Sequence, residues 1–280
     1  MKCAWQAFLN LLPQSIKEEV HILGKQNLLE LRLRMNADPE LVFQDRSVWI
    51  NHKTTPEDIS FIINVASRYS PWAAGTIRRG FITAEGGHRI GLCGDAVIHK
   101  DEMTGIRNPV ALCIRVARDF PGIASNAKKI EGSVLIIGPP GSGKTTFLRD
   151  LIRQYSDFGK GSIGVVDERG ELFPLNDQGQ CFYSGKRTDV ITGCSKAQGI
   201  ELLLRTMGPS CIAVDEITAE EDSRAILNAG WSGVNLLATA HAKSKSDLFS
   251  RGIYRPIVNS GLFQRVLIMD QDKSWKEEYL

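Results

Sequence analysis

The chain lacks an apolar run near the roughly 20 residues needed to span a bilayer, and it has no C-x-x-C pair, no internal repeat and almost no net charge. Without a spanning segment, any work at a membrane is expected from its surface. Met1 to Leu12, with one Lys and with Gln6 and Asn10 inside its apolar stretch, suits an amphipathic helix better than a signal peptide. Cys3, Cys93, Cys113, Cys181, Cys194 and Cys211 are too scattered for a metal site or a disulfide framework, so reduced thiols in a cytoplasmic protein are expected. A formal net charge of +2 supplies no clustered basic face, and no nucleic-acid partner is expected. What remains is an ordinary globular composition, 42% apolar and 24% charged over 280 residues, long enough for two domains with their own cores.

What is present is concentrated at Gly138 to Thr145, Gly-Pro-Pro-Gly-Ser-Gly-Lys-Thr, which fits G-x-x-x-x-G-K-[ST]. It lies between the apolar run Val134 to Ile137 and a helical pattern from Thr146 to Tyr155, the strand–loop–helix context the motif requires. Glycines let the backbone wrap a phosphate, so that N–H groups and the helix N-terminus face the anion. Gly138, Pro139, Pro140, Gly141, Ser142, Gly143, Lys144, Thr145 and Thr146 form the candidate nucleotide-binding set. Lys144 is expected to reach the β/γ-phosphates, and the Thr145 hydroxyl to serve Mg²⁺.

Before this loop the pattern is that of a small α+β domain, residues 1–118. Trp5, Phe8, Leu9 and Leu12 have helical spacing before Pro13, and Leu29 to Met35 alternates as a half-wet strand that Leu41 to Ile50 continues through a turn near Asp45-Arg46. Thr55, Pro56 and Asp58 mark a helix start, with Ile59, Ile62, Ile63 and Ala66 as its buried stripe. Two strands joined at Gly86-Gly87 and a third at Leu112 to Val116 follow. Residues 119–132, containing Pro121-Gly122 and Lys128-Lys129 and lacking a period, read as a linker. From residue 133 to residue 280 strands and helices alternate, which favours a parallel sheet covered on both faces. Its strands are Val134 to Ile137, Ile163 to Val166, Cys211 to Val214 and Val234 to Thr239. Ser195 with Gln198 and Thr218 with Glu221 open helices.

Asp215-Glu216, at the end of an apolar run about 70 residues after the loop, stand where a second half of a phosphate-hydrolysing site is expected. In that role Asp215 holds Mg²⁺ through its water shell and Glu216 orients the attacking water; the alternative is an acidic pair at a helix N-terminus. His241, at the tip of the next strand, either contacts the γ-phosphate or is structural. Asp167, Glu168 and Glu171 form an acidic cluster after the second strand, and period does not choose between site and solvent.

The order of the loop, Val-Asp-Glu-Arg-Gly-Glu (166–171), Arg-Thr-Met-Gly-Pro-Ser-Cys-Ile-Ala-Val-Asp-Glu-Ile (205–217) and Ala-Thr-Ala-His-Ala (238–242) resembles the secretion-ATPase superfamily, the motors of type II and IV secretion and pilus systems. Within it the likeness is nearer to a member from endospore-forming bacteria, and it runs from about Gly80 almost to the C-terminus. The resemblance implies a RecA-like P-loop ATPase domain after a smaller α+β domain, with ATP and Mg²⁺ as cofactors. It implies a homo-oligomer, a hexamer, at the cytoplasmic face of a membrane protein complex, powering assembly or transport during endospore formation. Lys144 and Thr145 match the Walker A pair, Glu216 the Walker B glutamate and His241 the His-box histidine. Asp167 or Glu168 matches the acidic box, with the order of the two acids swapped relative to the motors. Asp215 replaces the glycine usual before the Walker B glutamate, and Thr218 and Ala219 stand where the motors carry an arginine. The superfamily also uses arginines of the first domain to reach a neighbour's γ-phosphate. Arg79, Arg89, Arg115 and Arg118 are candidates, with Arg89 and Arg115 preferred; the alternative for each is a solvated strand face.

Three other readings compete. Asp167 to Gly170 has D-x-x-G form and Ser244-Lys245-Ser246-Asp247 faintly resembles a guanine-recognition motif, which would suit a GTPase. A nucleic-acid-handling RecA-like protein needs more basic residues than Lys128-Lys129 and Lys243-Lys245 supply. An ATP-binding scaffold without turnover would be indifferent to loss of Glu216.

Overall fold

The computed structural model describes residues 1–24, 27–68, 80–99, 102–127, 131–176 and 179–280. They divide into two compact units, one of Met1–Asp119 with Leu175–Phe182, the other of Phe120–Pro174 with Tyr183–Leu280.

In the first unit, helices α1 (Trp5–Asn10) and α2 (Gln14–Gly24) meet at Pro13, whose carbonyl accepts from the N–H groups of Ile16 and Lys17. Strands β1 (Glu30–Arg34), β2 (Glu40–Val42) and β3 (Ser47–Trp49) precede helix α3 (Pro56–Ser67), and β4 (Phe81–Thr83), β5 (Arg89–His99) and β6 (Glu102–Arg115) follow it. They form one antiparallel sheet in the order β3-β2-β1-β6-β5-β4. The alternation of β1 puts Leu31 and Leu33 in a core with Phe8, Ile16, Val20, Ile59, Ile62, Ile90 and Ile114. Helix α3 starts as its sequence dictates. The Thr55 hydroxyl accepts from the Asp58 N–H at 3.2 Å while the Asp58 carboxylate accepts from the Thr55 N–H at 2.9 Å.

The strand read at Leu112 to Val116 is much longer, because β5 and β6 continue together past Cys93 as a ribbon whose side chains are mostly exposed and leave no burial period. Arg79, part of the segment before β4, and Lys128-Lys129 lie outside the described residues.

The second unit contains β7 (Val134–Ile137), α4 (Lys144–Phe158) and β8 (Ile163–Asp167). The chain then makes β9 (Leu175–Asn176) and β10 (Gly179–Gln180), which belong to the first unit. Strand β11 (Thr188–Thr192), α5 (Lys196–Thr206), β12 (Cys211–Val214), α6 (Glu220–Trp231) and β13 (Asn235–Ala240) return it to the second unit. Helices α7 (Lys245–Ser250) and α8 (Arg255–Asn259) and strands β14 (Arg265–Met269) and β15 (Trp275–Tyr279) complete the chain. The sheet order is β11-β8-β12-β13-β7-β14-β15, parallel except for β15. Strands β7, β8 and β12 are buried throughout, as a parallel sheet covered on both faces requires.

The segment read as a linker is, in its described part, folded. The N–H groups of Gly122 and Ala124 bond the two oxygens of buried Asp150 on α4, at 3.0 and 2.8 Å, and Ala124 and Ala127 are fully buried. Small residues and local turns gave no periodic signal there. The start of α6 also differs from expectation: Asp222, not Glu221, caps it, accepting from the N–H groups of Thr218 and Ala219 at 2.9 and 3.1 Å.

Candidate functional site

Neighbouring strands β8, β12, β13 and β7 run parallel, so their carboxyl ends open on one edge of the sheet. Each delivers one part of a constellation there. From β7 comes the 138–145 loop, with Gly141 and Gly143 at φ +76° and +93°. A Cβ on Gly138 would lie 2.6 Å from the Met269 carbonyl, so only glycine fits. Helix α4 begins at Lys144 with Gly143 as N-cap and no side-chain cap, which leaves its first N–H groups for an anion.

Lys144 is buried, and its ammonium donates to the carbonyls of Gly138 and Pro139 at 2.9 and 3.0 Å and to His241 Nδ1 at 3.2 Å. Burial pushes its pKa down, against the pull of Asp215 and Glu216. Because an ammonium can only donate, His241 Nδ1 accepts, and its Nε2–H faces Glu216 Oε1 at 2.9 Å. Arg169 Nη1 donates to the other oxygen of Glu216 at 2.8 Å. Burial pushes the Glu216 carboxyl up, but the His241 hydrogen bond and the charges of Arg169 and Lys144 outweigh it and hold the pKa below the usual range. Glu216 itself has φ +51°, a left-handed conformation that a side chain rarely adopts.

Asp215 accepts from the Thr145 hydroxyl at 2.7 Å on one oxygen and from the Thr239 hydroxyl at 2.6 Å on the other. Burial pushes its pKa up, and these two hydrogen bonds oppose the shift. Thr239 also accepts the Glu216 N–H at 2.7 Å, so one buried hydroxyl orients both acids. Tyr254 on the loop before α8 accepts the His241 N–H at 3.2 Å and donates to the Ile217 carbonyl at 3.3 Å, tying the ends of β12 and β13 together.

Asp167 is 2% exposed and accepts N–H groups from Glu171, Leu172 and Phe173 at 2.8, 3.0 and 2.8 Å. Burial raises its pKa against these bonds. Its carboxylate shapes the loop after β8 and has little left to offer a substrate. Glu168 pairs at 2.6 Å with Lys196, a buried lysine that also lies 3.5 Å from Asp222. Asp167, Glu168, Arg169, Glu171, Lys196, Asp215 and Glu216 line one cleft. A larger cavity of about 540 Å³, lined by Tyr155, Phe158, Cys211 and Asn235 among others, lies toward the amino ends of the strands and lacks such convergent acids and bases.

Thr239, Arg169, Lys196 and Tyr254 were not singled out from sequence. Thr239 and Arg169 sit inside motifs that were, but only the pairing of strands reveals their partners. The Ser244 to Asp247 stretch is the cap of α7: the Ser244 hydroxyl accepts the Asp247 N–H at 3.2 Å and Asp247 pairs with Arg251.

In the first unit, Arg89 and Arg115 are cross-strand partners on β5 and β6, on the face opposite the buried Ile90 and Ile114. The Arg89 guanidinium lies 3.9 Å from the centroid of the Phe81 ring, and Arg115 Nε is 3.3 Å from Glu30. Arg118 donates to the Leu28 carbonyl at 2.6 Å.

The fold has counterparts among solved proteins. The pilus retraction motor PilT with bound ADP superposes with a TM-score of 0.63 at 17% identity, over 91% of this chain and 76% of that one. The Legionella pneumophila ATPase DotB gives 0.57 at 14%, over 95% and 79%. At such identity the likeness is one of fold, and that fold is the expected RecA-like P-loop domain preceded by a smaller unit rich in β-strands. Closer in sequence is the stage III sporulation protein AA of Bacillus subtilis (strain 168), 34% identical over 275 residues, which are 94% of this chain and 90% of that protein. With residues 6–277 matching the family described as Sporulation stage III, protein AA, nearly the whole chain is accounted for, and it belongs to that family.

Proposed function

We propose that this chain binds ATP with Mg²⁺ at residues 138–146 and hydrolyses it, as the subunit of a ring-forming motor that powers assembly of, or transport through, a membrane complex during endospore formation. The observation that carries the reading is the contact of Thr145 with Asp215 and of Lys144, through His241, with Glu216, at the ends of adjacent parallel strands.

The donor set fits Mg²⁺. A hydroxyl and a carboxylate 2.7 Å apart are hard oxygens, and Mg²⁺ keeps several waters and takes few protein ligands. Thr145 and Asp215 would hold it, and when bound it neutralises phosphate charge in the transition state. The loop N–H groups and Lys144 hold the phosphates, and Lys144 exchanges its carbonyl partners for phosphate oxygens. Glu216, fixed by Thr239 through its N–H and by His241 and Arg169 through its carboxylate, aligns a water with the γ-phosphorus. The water oxygen bonds to phosphorus and the bond to the β-phosphate oxygen breaks; one of the water's protons stays on the phosphate, the other passes to solvent, and ADP and phosphate leave. Arg89 and Arg115 are assigned to a neighbouring subunit's γ-phosphate in a hexameric homo-oligomer on the cytoplasmic side of the membrane. Among the described residues no helix is long and apolar enough to cross a membrane.

The test is Glu216→Gln. Turnover should fall by about a hundredfold or more while ATP binding persists, read by phosphate release and nucleotide titration, with ring size followed by sedimentation. Turnover at the wild-type rate would sink the hydrolytic reading and leave an ATP-binding scaffold.

A further inference from the structure

We infer that Lys273, in the turn between β14 and β15, is a second phosphate-binding lysine of the nucleotide site, supplied by the same chain to the polyphosphate of a nucleoside di- or triphosphate. It rests on the reading of 138–145 as a phosphate cradle.

Parallel pairing of β14 with β7 brings the end of β14 beside the loop, with Ile268 opposite Ile137. The turn is built to stay there. Lys273 N–H donates to the Asp270 carbonyl at 3.1 Å, Asp270 N–H to the Ser274 carbonyl at 3.0 Å, and Ser274 N–H to Asp272 at 2.9 Å. Trp275, the next residue, packs edge-on against Phe147 of α4 with ring centroids 5.5 Å apart. From this platform the Lys273 ammonium reaches the Gly141 carbonyl, and its Cδ would lie 3.5 Å from a Cβ on Gly143. The positive end of the side chain therefore sits on the rim of the loop that gathers phosphate.

The backbone adds an independent argument. Among the described residues five that are not glycine have positive φ: Asn36, Arg68, Asn108, Glu216 and Lys273. Asn tolerates this region, and Arg68 is the C-cap of α3. The other two are at the nucleotide site. A lysine at φ +71° carries strain that asparagine or glycine would relieve, and strain of this kind persists where the side chain has a task. Bracing the loop is a poor candidate for that task, because Gly141 is exposed and water would serve its carbonyl as well as an exposed ammonium does.

ATP, ADP and AMP are competed against a fluorescent ADP analogue on wild-type protein and on Lys273→Asn, Lys273→Arg and Lys144→Ala, with melting temperature measured alongside. Lys273→Asn should weaken ATP and ADP about tenfold, as expected for loss of one exposed charge-assisted hydrogen bond. AMP should change less than about twofold and the melting temperature should hold or rise, because the strain is relieved. Lys273→Arg should stay near wild type. Wild-type affinity for ATP and ADP in Lys273→Asn overturns the proposal, as does an equal loss for all three nucleotides with a lower melting temperature, which marks a brace. If wild type binds no nucleotide, the cradle reading falls; if only Lys144→Ala loses binding, the Lys273 assignment falls alone.

Discussion

Thr239 is the residue on which the site's geometry turns. Its hydroxyl donates to Asp215 and accepts from Glu216 N–H, so Thr239→Val, nearly the same shape, leaves a half-buried acid short of a donor and a half-buried N–H unpaired. Stability should fall by about 1–3 kcal/mol and kcat by about tenfold or more, with Thr239→Ser restoring both. Melting curves beside single-turnover rates check this, and an unchanged kcat would count against the orienting role. Nothing in Ala-Thr-Ala-His-Ala tells Thr239 from any small buried strand residue; pairing of β12 with β13 gives it partners. Asp167 teaches the reverse. The resemblance offers it, or Glu168, as the acid of the acidic box, yet three backbone N–H groups occupy it, and chain direction after β8 could not be seen in the sequence.

At the scale of elements, what was legible was what is buried on one or both faces. β7 and β12 appear with the bounds their apolar runs suggest, and α3 and α5 start at their capping boxes. β11 was not read, because an edge strand that is half-buried at every position has neither alternation nor an apolar run. β14 and β15 were missed although Val266 to Met269 are buried, and with them the turn that carries Lys273.

A pH prediction belongs at this scale too. His88, fully buried before β5, accepts the Ala117 N–H on Nδ1 at 3.1 Å and faces the Ala4 carbonyl through Nε2 at 3.0 Å, tying the entry to α1 to the end of β6. Burial, and secondarily the charge of Arg118, push its pKa below 6.5, against the Ala4 hydrogen bond and Glu85. The unfolded chain therefore binds a proton that the folded one refuses. Stability is intact above about pH 6.5 and falls as pH drops below it, by at most about 1.4 kcal/mol per pH unit. Thermal melts from pH 7.5 to 5.5 should show this loss, and His88→Gln should flatten it.

On the scale of the whole molecule, the two units raise the question of which arginines complete the site. Arg89 and Arg115 stand side by side on one sheet face, so a single surface presents both. If they act on a neighbour, Arg115→Ala and Lys144→Ala chains should each be inactive, the former by about a hundredfold or more. Mixed together they should regain activity, since some interfaces would pair an intact arginine with an intact loop. No recovery on mixing, with rings formed, would remove the trans assignment. Specific activity should also rise with protein concentration as rings assemble.

The sequence by itself determined the glycine-rich loop at 138–145, the acids at the end of β12, the histidine at the end of β13 and the alternation that makes the second unit a parallel sheet. Those features depend on local chemistry: glycine's freedom, apolar runs and caps. Only the tertiary structure decided what each acid bonds to. Partners such as Thr239 with Asp215, or Arg169 and His241 with Glu216, are set by which strands lie side by side, and Lys273 meets the loop 132 residues away because β14 pairs with β7. Pairing order is a long-range property of the sheet, and no local period in the chain encodes it.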